Sequence, residues 1–500
     1  MAEVNPGRAP VRTPRATKYA ISADDFQPLN ANGRRTLLKD TTYILENAID
    51  LDDTVLEVPD SSVTVFAGST TELQEIDSMG GFYADGFRSL VLHDMIMVGR
   101  QGDTFLDLTG RVGTGPGPPL RGLVRLYSYN EIRQFTDLGS INTTDRVLMA
   151  NCFVGGTRGP LTVDTFLLCD IRENRFDYII GGPTQPASFT WVRLLTEAIE
   201  IFITDNVFSL SDDVTNPRYG LYIDPIVAPN AAVPATQTSV IVEGNEAIGG
   251  TIFFEPGDED EITAFTDNLD GTITISTADT GSLANGEDIN ILRTENYNGG
   301  YVVSNVVANT SFDITATYVD NPGRGTWHSG SLDHRDERVI SRGNSGIPNS
   351  RNIFFGFSNG NTTATDITVL DTWEDIEVTG FQDSAGATER FALTGDGTSG
   401  QFIYYGHEGF KGQVSTSMTV FTSNAADKDY EFAISVNDAD PTADVPVTTV
   451  TVNNDLVTAT ILCAMPLERG DTVQIKVRQV SGTVFDITIQ DITILGTDSD

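Results

Sequence analysis

One residue type recurs at a comparable place along this chain: an asparagine that follows a short apolar run. The segments VLMANCF, DIRENRF, FITDNVF and VIVEGNEA contain Asn151, Asn174, Asn206 and Asn245, at intervals of 23, 32 and 39 residues. Asparagine tolerates left-handed backbone geometry, and stacked amides can hydrogen-bond along an axis. The spacing predicts stacked coils with one asparagine in each. The alternative is that N-x-F turns recur by chance in an asparagine-rich β-protein.

Apolar residues beside these asparagines are expected to line the interior of the coils. The predicted interior residues are Leu148, Ile171, Phe176, Ile203 and Phe208.

A fifth copy of the pattern, VISRGNSG with Asn344, comes 99 residues after Asn245. An insertion of 70 residues, 256–325, would leave an interval of 29 residues, which suits one further coil. That segment has its own alternating runs, such as GTITIS and SFDITATYV, which are typical of a small sandwich or barrel. The predicted divisions are a basic N-terminal arm and attachment segment (1–34), coils (35–255), an inserted small β-domain (256–325), a final coil (326–358) and a C-terminal domain (359–500).

The rest of the pattern predicts an all-β protein. Short runs of Val, Ile, Thr, Phe and Tyr alternate with turn residues, among them 47 Gly and 21 Pro. The best helix-compatible window is RRTLLKDTTYILENA, residues 34–48. A chain of 500 residues exceeds one ordinary core, so we expect two to four folded units.

Charge excludes two classes of partner. The 70 Asp and Glu against 31 Lys and Arg give a net charge of −39, which repels nucleic-acid phosphates and anionic lipid. No apolar stretch is long enough to cross a bilayer, and the first residues lack the apolar region of a secretory signal. The first 18 residues are basic, with Arg8, Arg12, Arg15 and Lys18. They are either an extended arm that docks on an acidic partner or a frayed terminus.

No motif in the chain requires an enzyme, a metal or a cofactor. Cys152, Cys169 and Cys463 lie in apolar runs and are expected to be small buried residues. One cluster has a metal-like composition, although a solvated loop is the preferred interpretation of its spacing. Its members are Trp327, His328, Asp333, His334 and Asp336.

The coil segments carry a family resemblance. TTYILENAIDLDDTVLEVPDSSVTVFAG and the repeats that follow it resemble a right-handed parallel β-helix of the pectate-lyase-like kind found in bacteriophage tailspikes and virion fibres. The resemblance covers residues 35–255 and 326–358. Near the end, LERGDTVQIKVRQ with its Gly470–Asp471 turn is similar to the closing strands of C1q/TNF-like jelly rolls. A generic β-sandwich is the alternative for this segment.

The resemblance implies a structural virion protein of a bacteriophage, made in the host cytoplasm as a homotrimeric spike or fibre. It would bind other virion proteins through its N-terminal arm and host-surface polysaccharide through its C-terminal domain. A head fibre or decoration protein is one alternative. A tailspike depolymerase is another, and it would use carboxylates on the coil flank. The candidates are Glu173, Asp177, Asp205, Asp212, Asp213 and Glu243.

Sugar recognition needs side chains that both stack and hydrogen-bond, on loops of a rigid scaffold. The C-terminal loop YYGHEGFKG offers Tyr405, His407 and Phe410, which we expect to bind the receptor. Trp191 and Trp327 could also stack on sugar rings, although core packing is the preferred role for both.

Overall fold

The computed structural model contains two compact units. The parallel unit comprises residues 1–256 and 339–349, and the antiparallel unit comprises residues 257–338 and 350–500. The structure describes the whole chain except residues 1–15, 53, 61, 69–73, 79, 88, 100–103, 111–122, 136, 144–145, 156–158, 166–167, 178–188, 196–199, 226–238, 320–324, 337, 384–387, 395–399, 406–409, 443–444 and 499–500.

Strands and one short 3-10 helix, Ala23–Asp25, make up the regular structure of the described residues, so the all-β prediction is confirmed. The parallel unit begins with β1 (Ala16–Ala20), β2 (Arg34–Thr36), β3 (Thr41–Leu45), β4 (Ile49–Asp50), β5 (Val55–Val58), β6 (Val63–Ala67), β7 (Gln74–Ser78), β8 (Phe82–Phe87), β9 (Ser89–Gly99), β10 (Thr104–Gly110), β11 (Leu123–Arg133) and β12 (Asp137–Thr143). It continues with β13 (Arg146–Ala150), β14 (Cys152–Gly155), β15 (Leu161–Thr165), β16 (Leu168–Arg172), β17 (Arg175–Asp177), β18 (Phe189–Leu194), β19 (Glu200–Thr204), β20 (Val207–Ser209), β21 (Arg218–Ile223), β22 (Ser239–Glu243) and β23 (Glu246–Ile248).

The helix-compatible window at 34–48 was wrong, because its residues form β2 and β3. Buried and half-buried residues alternate along Thr41–Leu45, which is the two-residue period of a strand with one buried face. A helix would need a period of about 3.6 residues. Lys18, which the sequence places in the basic arm, belongs to β1 and pairs with Tyr43 of β3. Arg8, Arg12 and Arg15 of that arm lie outside the described residues.

The antiparallel unit and the end of the parallel unit supply the remaining strands. The first group is β24 (Glu259–Asp267), β25 (Thr272–Thr277), β26 (Asp288–Leu292), β27 (Gly299–Val302), β28 (Ser304–Val307), β29 (Ser311–Thr315) and β30 (Thr326–His328). Strand β31 (Val339–Arg342) returns to the parallel unit. The last group is β32 (Ile353–Ser358), β33 (Ala364–Thr365), β34 (Glu374–Asp375), β35 (Gln382–Asp383), β36 (Phe391–Leu393), β37 (Phe402–Tyr404), β38 (Phe410–Thr422), β39 (Lys428–Val436), β40 (Val447–Val452), β41 (Val457–Leu467), β42 (Thr472–Gln479) and β43 (Ile487–Asp498).

The parallel unit is built from two long parallel sheets whose strands follow one another in chain order. One sheet runs β1-β3-β6-β9-β11-β13-β16-β19-β22-β31, and the other runs β2-β5-β8-β10-β12-β15-β18-β21. The first sheet also contains β4, β7, β14, β17, β20 and β23, which pair beside this path. The chain therefore visits the two sheets in turn, and each visit adds one or two strands to the stack. Side chains at matching positions stack inside, as the rings of Phe176 and Phe208 do with centroids 4.9 Å apart.

The predicted asparagine ladder is confirmed for four of its five members. The Oδ1 atom of Asn206 accepts from both the backbone N and Nδ2 of Asn174, each at 3.0 Å. Asn245 accepts in the same way from Asn206, and Asn344 accepts from Asn245 across 99 residues of sequence. Strand β31 pairs in parallel with β22, so residues 339–342 continue the sheet that contains β22.

Asn151 is the exception, and its position corrects the predicted register. It is exposed, and Cys152 occupies the ladder position, where its backbone N donates to Asn174 Oδ1 at 2.9 Å. The same slip of one residue turns Leu148 outward, whereas Ile171, Phe176, Ile203 and Phe208 are fully buried as predicted.

Left-handed geometry also belongs to a neighbour of the ladder asparagine rather than to the asparagine itself. The residues that directly precede the ladder positions all have a positive φ: Asn151 (55°), Glu173 (54°), Asp205 (55°), Gly244 (66°) and Gly343 (62°). This bend turns the next side chain inward, so that its amide can join the ladder.

In the antiparallel unit, residues 257–338 form a seven-stranded sheet, β27-β26-β30-β24-β25-β29-β28, around an apolar core. Strand β30 lies beyond the predicted end of the insertion at residue 325, and it pairs with β24 and β26. Residues 350–500 form two six-stranded antiparallel sheets. The sheets share one core of Phe, Tyr and aliphatic residues. One sheet runs β35-β32-β43-β38-β41 with β33 beside β43, and the other runs β36-β37-β42-β39-β40 with β34 beside β42.

Candidate functional site

The outward face of the longer parallel sheet presents one continuous row of side chains. In each strand the residues on both sides of the row member point inward, so the register places the row members on the opposite face. We call this set the outward row: Thr42, Val65, Val91, Arg125, Leu148, Asp170, Phe202, Ile241 and Ile340. With strands roughly 4.8 Å apart, the nine members span roughly 38 Å.

The composition of the outward row differs from that of the chain as a whole. Six of its nine members are Val, Leu, Ile or Phe, and all six are half-buried. Asp170 lies within the row, where burial raises the pKa of its carboxyl. The neighbouring positions on the same face are charged and paired: Arg172 Nε lies 3.7 Å from Asp170 Oδ2, and Arg342 Nη2 lies 3.2 Å from Glu243 Oε2. An apolar row flanked by ion pairs is an arrangement suited to a protein contact.

A second outward surface lies in the antiparallel unit, on the sheet that contains β32, β43, β38 and β41. Across these strands Phe355, Leu495, Ser415 and Leu462 pair in register. Leu462 is 58% exposed, and the ring of Phe355 packs against that of Phe357 with centroids 5.9 Å apart. Ser415 lies between Leu495 and Leu462, so this face combines apolar and small polar side chains.

The structure separates the three predicted receptor-binding residues. Phe410 is fully buried in the C-terminal core, where its ring packs against Phe391 at 5.6 Å. Tyr405 is half-buried, and its hydroxyl donates to the backbone carbonyl of Thr294. His407 lies outside the described residues. Receptor binding by these residues stays a prediction.

The metal-like cluster near residue 330 is a network of buried hydrogen bonds. Asp336 accepts from Arg338 Nε at 2.9 Å and from Asn290 Nδ2 at 2.7 Å, and Arg338 in turn donates to the Asn290 carbonyl at 2.8 Å. The Asn290 amide also lies 3.3 Å from His328 Nε2. Burial lowers the pKa of His328, so its neutral ring can accept from this amide.

The neighbouring members of that cluster are also engaged. Arg335 donates to Asp333 at 3.0 Å and to Glu259 at 2.6 Å. Trp327 is fully buried and donates its indole N–H to Thr277 at 3.1 Å. Within the described part of the chain, no group of three or more His, Cys, Asp and Glu side chains could hold a metal ion.

Four of the six carboxylates considered for a depolymerase have local structural partners. Asp177 pairs with Arg175, and Glu243 pairs with Arg342. Asp212 accepts from the backbone N of Thr251 at 2.8 Å, which lowers the pKa of its carboxyl. Asp213 caps the turn at Thr215. Glu173 and Asp205 occupy the left-handed bends before the ladder.

Trp191 and the cysteines take the core positions expected of them. Trp191 is fully buried against Phe176 and Phe189, and its indole N–H donates to the Ser209 carbonyl at 2.8 Å. Burial raises the pKa of Cys152 to about 12, and Cys169 and Cys463 are likewise free and buried. The described residues include no helix long and apolar enough to cross a membrane.

Comparison with known proteins gives weak structural likenesses. No family model matches the chain, and no curated protein matches it. Among solved structures, Eiger TNF from S. frugiperda is similar at a TM-score of 0.22 and 13% identity, over 30% of this chain and 95% of its own. The enzymatically active domain of tailspike protein 4 of bacteriophage CBA120 is similar at a TM-score of 0.17 and 9% identity, over 94% of this chain and 65% of that one.

Proposed function

We propose that this chain is a structural virion protein of a bacteriophage, a homotrimeric spike or fibre that recognises host-surface glycan. In this proposal the parallel unit is a right-handed β-helix that self-associates, and residues 359–500 are a C1q/TNF-like jelly roll. The observation that supports it best is the outward row. It places six apolar side chains in register on one outward sheet face of a chain whose net charge is −39.

Copies of such a chain repel one another at long range, so their association needs short-range apolar contact. The outward row supplies that contact along roughly 38 Å of sheet. A three-fold axis beside the row would bury it in every copy at once and close the assembly without leaving a free row. The face that carries Phe355, Leu495 and Leu462 would add a second contact of the same kind.

Attachment and recognition complete the proposal. The basic residues Arg8, Arg12 and Arg15 would dock on an acidic virion surface. The C-terminal domain would bind host polysaccharide, and three weak sites in each spike would gain affinity through avidity.

Substitution within the outward row tests the assembly. Phe202→Asp places a charge at the centre of the row and should convert the trimer to monomer in light scattering. Val214→Asp is the matched control, because Val214 is 96% exposed on a turn outside the row. A Phe202→Asp protein that stays trimeric would remove the outward row from the interface.

Antibodies raised against the purified protein test the location. They should label particles of the virus that encodes the chain, and labelling of head or tail separates a head fibre from a tail spike. Particles that carry no label would contradict the virion proposal.

A further inference from the structure

A polar cleft of about 400 Å³ lies within the antiparallel unit. Its described lining consists of residues 261–263 of β24, Gln382 and Asp383 of β35, and Arg293 and Gly325. The volume falls in the range of roughly 300–1,000 Å³ that is usual for ligand sites. The lining residues come from both 257–338 and 350–500, so the cleft lies where these two segments meet.

A buried ion pair belongs to the lining of this cleft. The guanidinium of Arg293 contacts the carboxylate of Asp383, and the two side chains are only 13% and 15% exposed. Arg293 also has a left-handed backbone, with φ of 61°. For a residue that carries a Cβ, this conformation costs on the order of 1–3 kcal/mol, and such strain persists where the surrounding structure fixes it.

Two further contacts hold the wall beside Arg293. The hydroxyl of Tyr405 donates to the carbonyl of Thr294, the next residue along the chain. Gly325 has φ of 135°, and a Cβ there would lie 2.4 Å from the Thr294 side chain and 2.8 Å from the Leu292 carbonyl. The wall thus depends on Gly325 and on the hydrogen bond that the Tyr405 hydroxyl donates to Thr294.

The charges around the cleft exclude several classes of ligand. Among the described lining residues, Arg293 is already paired with Asp383, so the exposed Glu261 leaves a net negative charge that disfavours an anion. The Arg293 guanidinium is paired with Asp383, so this carboxylate is not free to bind a metal cation. The lining is mainly polar, which disfavours an apolar ligand.

We propose that this cleft binds a neutral oligosaccharide. Sugar hydroxyls both donate and accept, and the lining offers each partner type: the Gln382 amide does both, and the Glu261 carboxylate accepts. The Thr263 hydroxyl donates to the Ser276 carbonyl at 3.1 Å, so its oxygen can accept. The inference rests on the proposed function, since it names the chemical class of the glycan and the site that binds it. It assigns Tyr405 a positioning role instead of direct contact with sugar.

A glycan microarray probed with the full-length protein tests this assignment. The probe is a printed set of neutral and acidic bacterial surface oligosaccharides. The wild-type protein should bind neutral spots, and Glu261→Gln/Gln382→Ala should bind them at least tenfold more weakly. The matched control Glu468→Gln/Gln27→Ala changes exposed residues outside the cleft and should bind as the wild type does.

Absence of binding to any neutral spot, or equal binding by the cleft variant, would overturn the assignment. Light scattering on the same samples keeps this result separate from the proposed spike. A trimer that ignores neutral glycan leaves the spike standing and removes the cleft. A monomer whose neutral-glycan binding depends on Glu261 and Gln382 leaves the cleft standing and removes the spike.

Discussion

In the parallel unit the buried Asn174, Asn206 and Asn245 each pair with a further copy of the same residue, whereas around Asp336 in the antiparallel unit every partner is of a different type. In the ladder, Asn174, Asn206 and Asn245 each repeat the same two donations to the next amide oxygen. Around Asp336, an amide, a guanidinium and an imidazole meet once only. A polar contact that recurs from coil to coil produces a periodic pattern in the sequence, whereas a contact that is made once does not.

The largest effect is expected where one side chain serves two coils. Asn206→Ala removes the acceptor for two donors of Asn174 and the donor to the Ile171 carbonyl. Each of these three buried groups costs about 1–3 kcal/mol when left unpaired, so the free energy of unfolding should fall by about 3–9 kcal/mol. Chemical denaturation followed by circular dichroism measures the change.

The control for this substitution is Asn151→Ala at the exposed neighbour of the ladder. It should cost only about 1 kcal/mol, through the left-handed backbone. Equal losses for Asn151→Ala and Asn206→Ala would mean that the ladder is not a main source of stability.

The next largest loss of stability is expected in the antiparallel unit. Asp336→Asn leaves the Arg338 guanidinium without its carboxylate in a buried site, and breaking such a pair costs about 3 kcal/mol. Denaturation of the variant should show this loss, while Asp177→Asn, which breaks an exposed pair with Arg175, should change stability by less than about 1 kcal/mol.

Acid should act on the same carboxylate. The Arg338 guanidinium and the hydrogen bonds hold the pKa of Asp336 at about 2, below its unfolded value of 3.8. Its contribution, on the order of 2 kcal/mol, is therefore fully present above about pH 4 and is lost as the pH falls towards 2. Denaturation midpoints between pH 5 and pH 2 should fall more steeply for the wild type than for Asp336→Asn. Parallel pH profiles would contradict this.

The smallest effect concerns the wall of the cleft. Tyr405→Phe removes one hydroxyl donor and should lower stability by about 1 kcal/mol, while neutral-glycan binding weakens because Arg293 and Thr294 are held less firmly. Tyr19→Phe is a matched control, since Tyr19 is 57% exposed. A Tyr405→Phe protein with unchanged glycan binding would show that the wall stands without this contact.

The sequence predicts the periodic part of the fold and misses what depends on a shift of one residue. Asn174, Asn206, Asn245 and Asn344 could be found because each coil repeats the same polar contact. The sequence does not show that Cys152, and not Asn151, occupies the ladder position. Adjacent residues face opposite ways, so a shift of one residue reverses which side chain points inward. The outward row can be identified only when this register is known, so the sequence alone does not predict it.

The candidate sites follow the same rule. Arg293 and Asp383 lie 90 residues apart and meet through folding alone, without a spacing that a single sequence can reveal. The aromatic ring of Phe410 suggests stacking on a sugar, but buried and outward positions alternate along β38 and Phe410 takes a buried one. The loop that contains His407 lies outside the described residues.

The central claim is that copies of the parallel unit associate through their outward rows. The most direct test is the mass of the full-length wild-type protein by light scattering at micromolar concentration, read beside Phe202→Asp. We expect about three times 54.0 kDa for the wild type and 54.0 kDa for the variant. A wild-type protein that stays at 54.0 kDa across the micromolar range would contradict it.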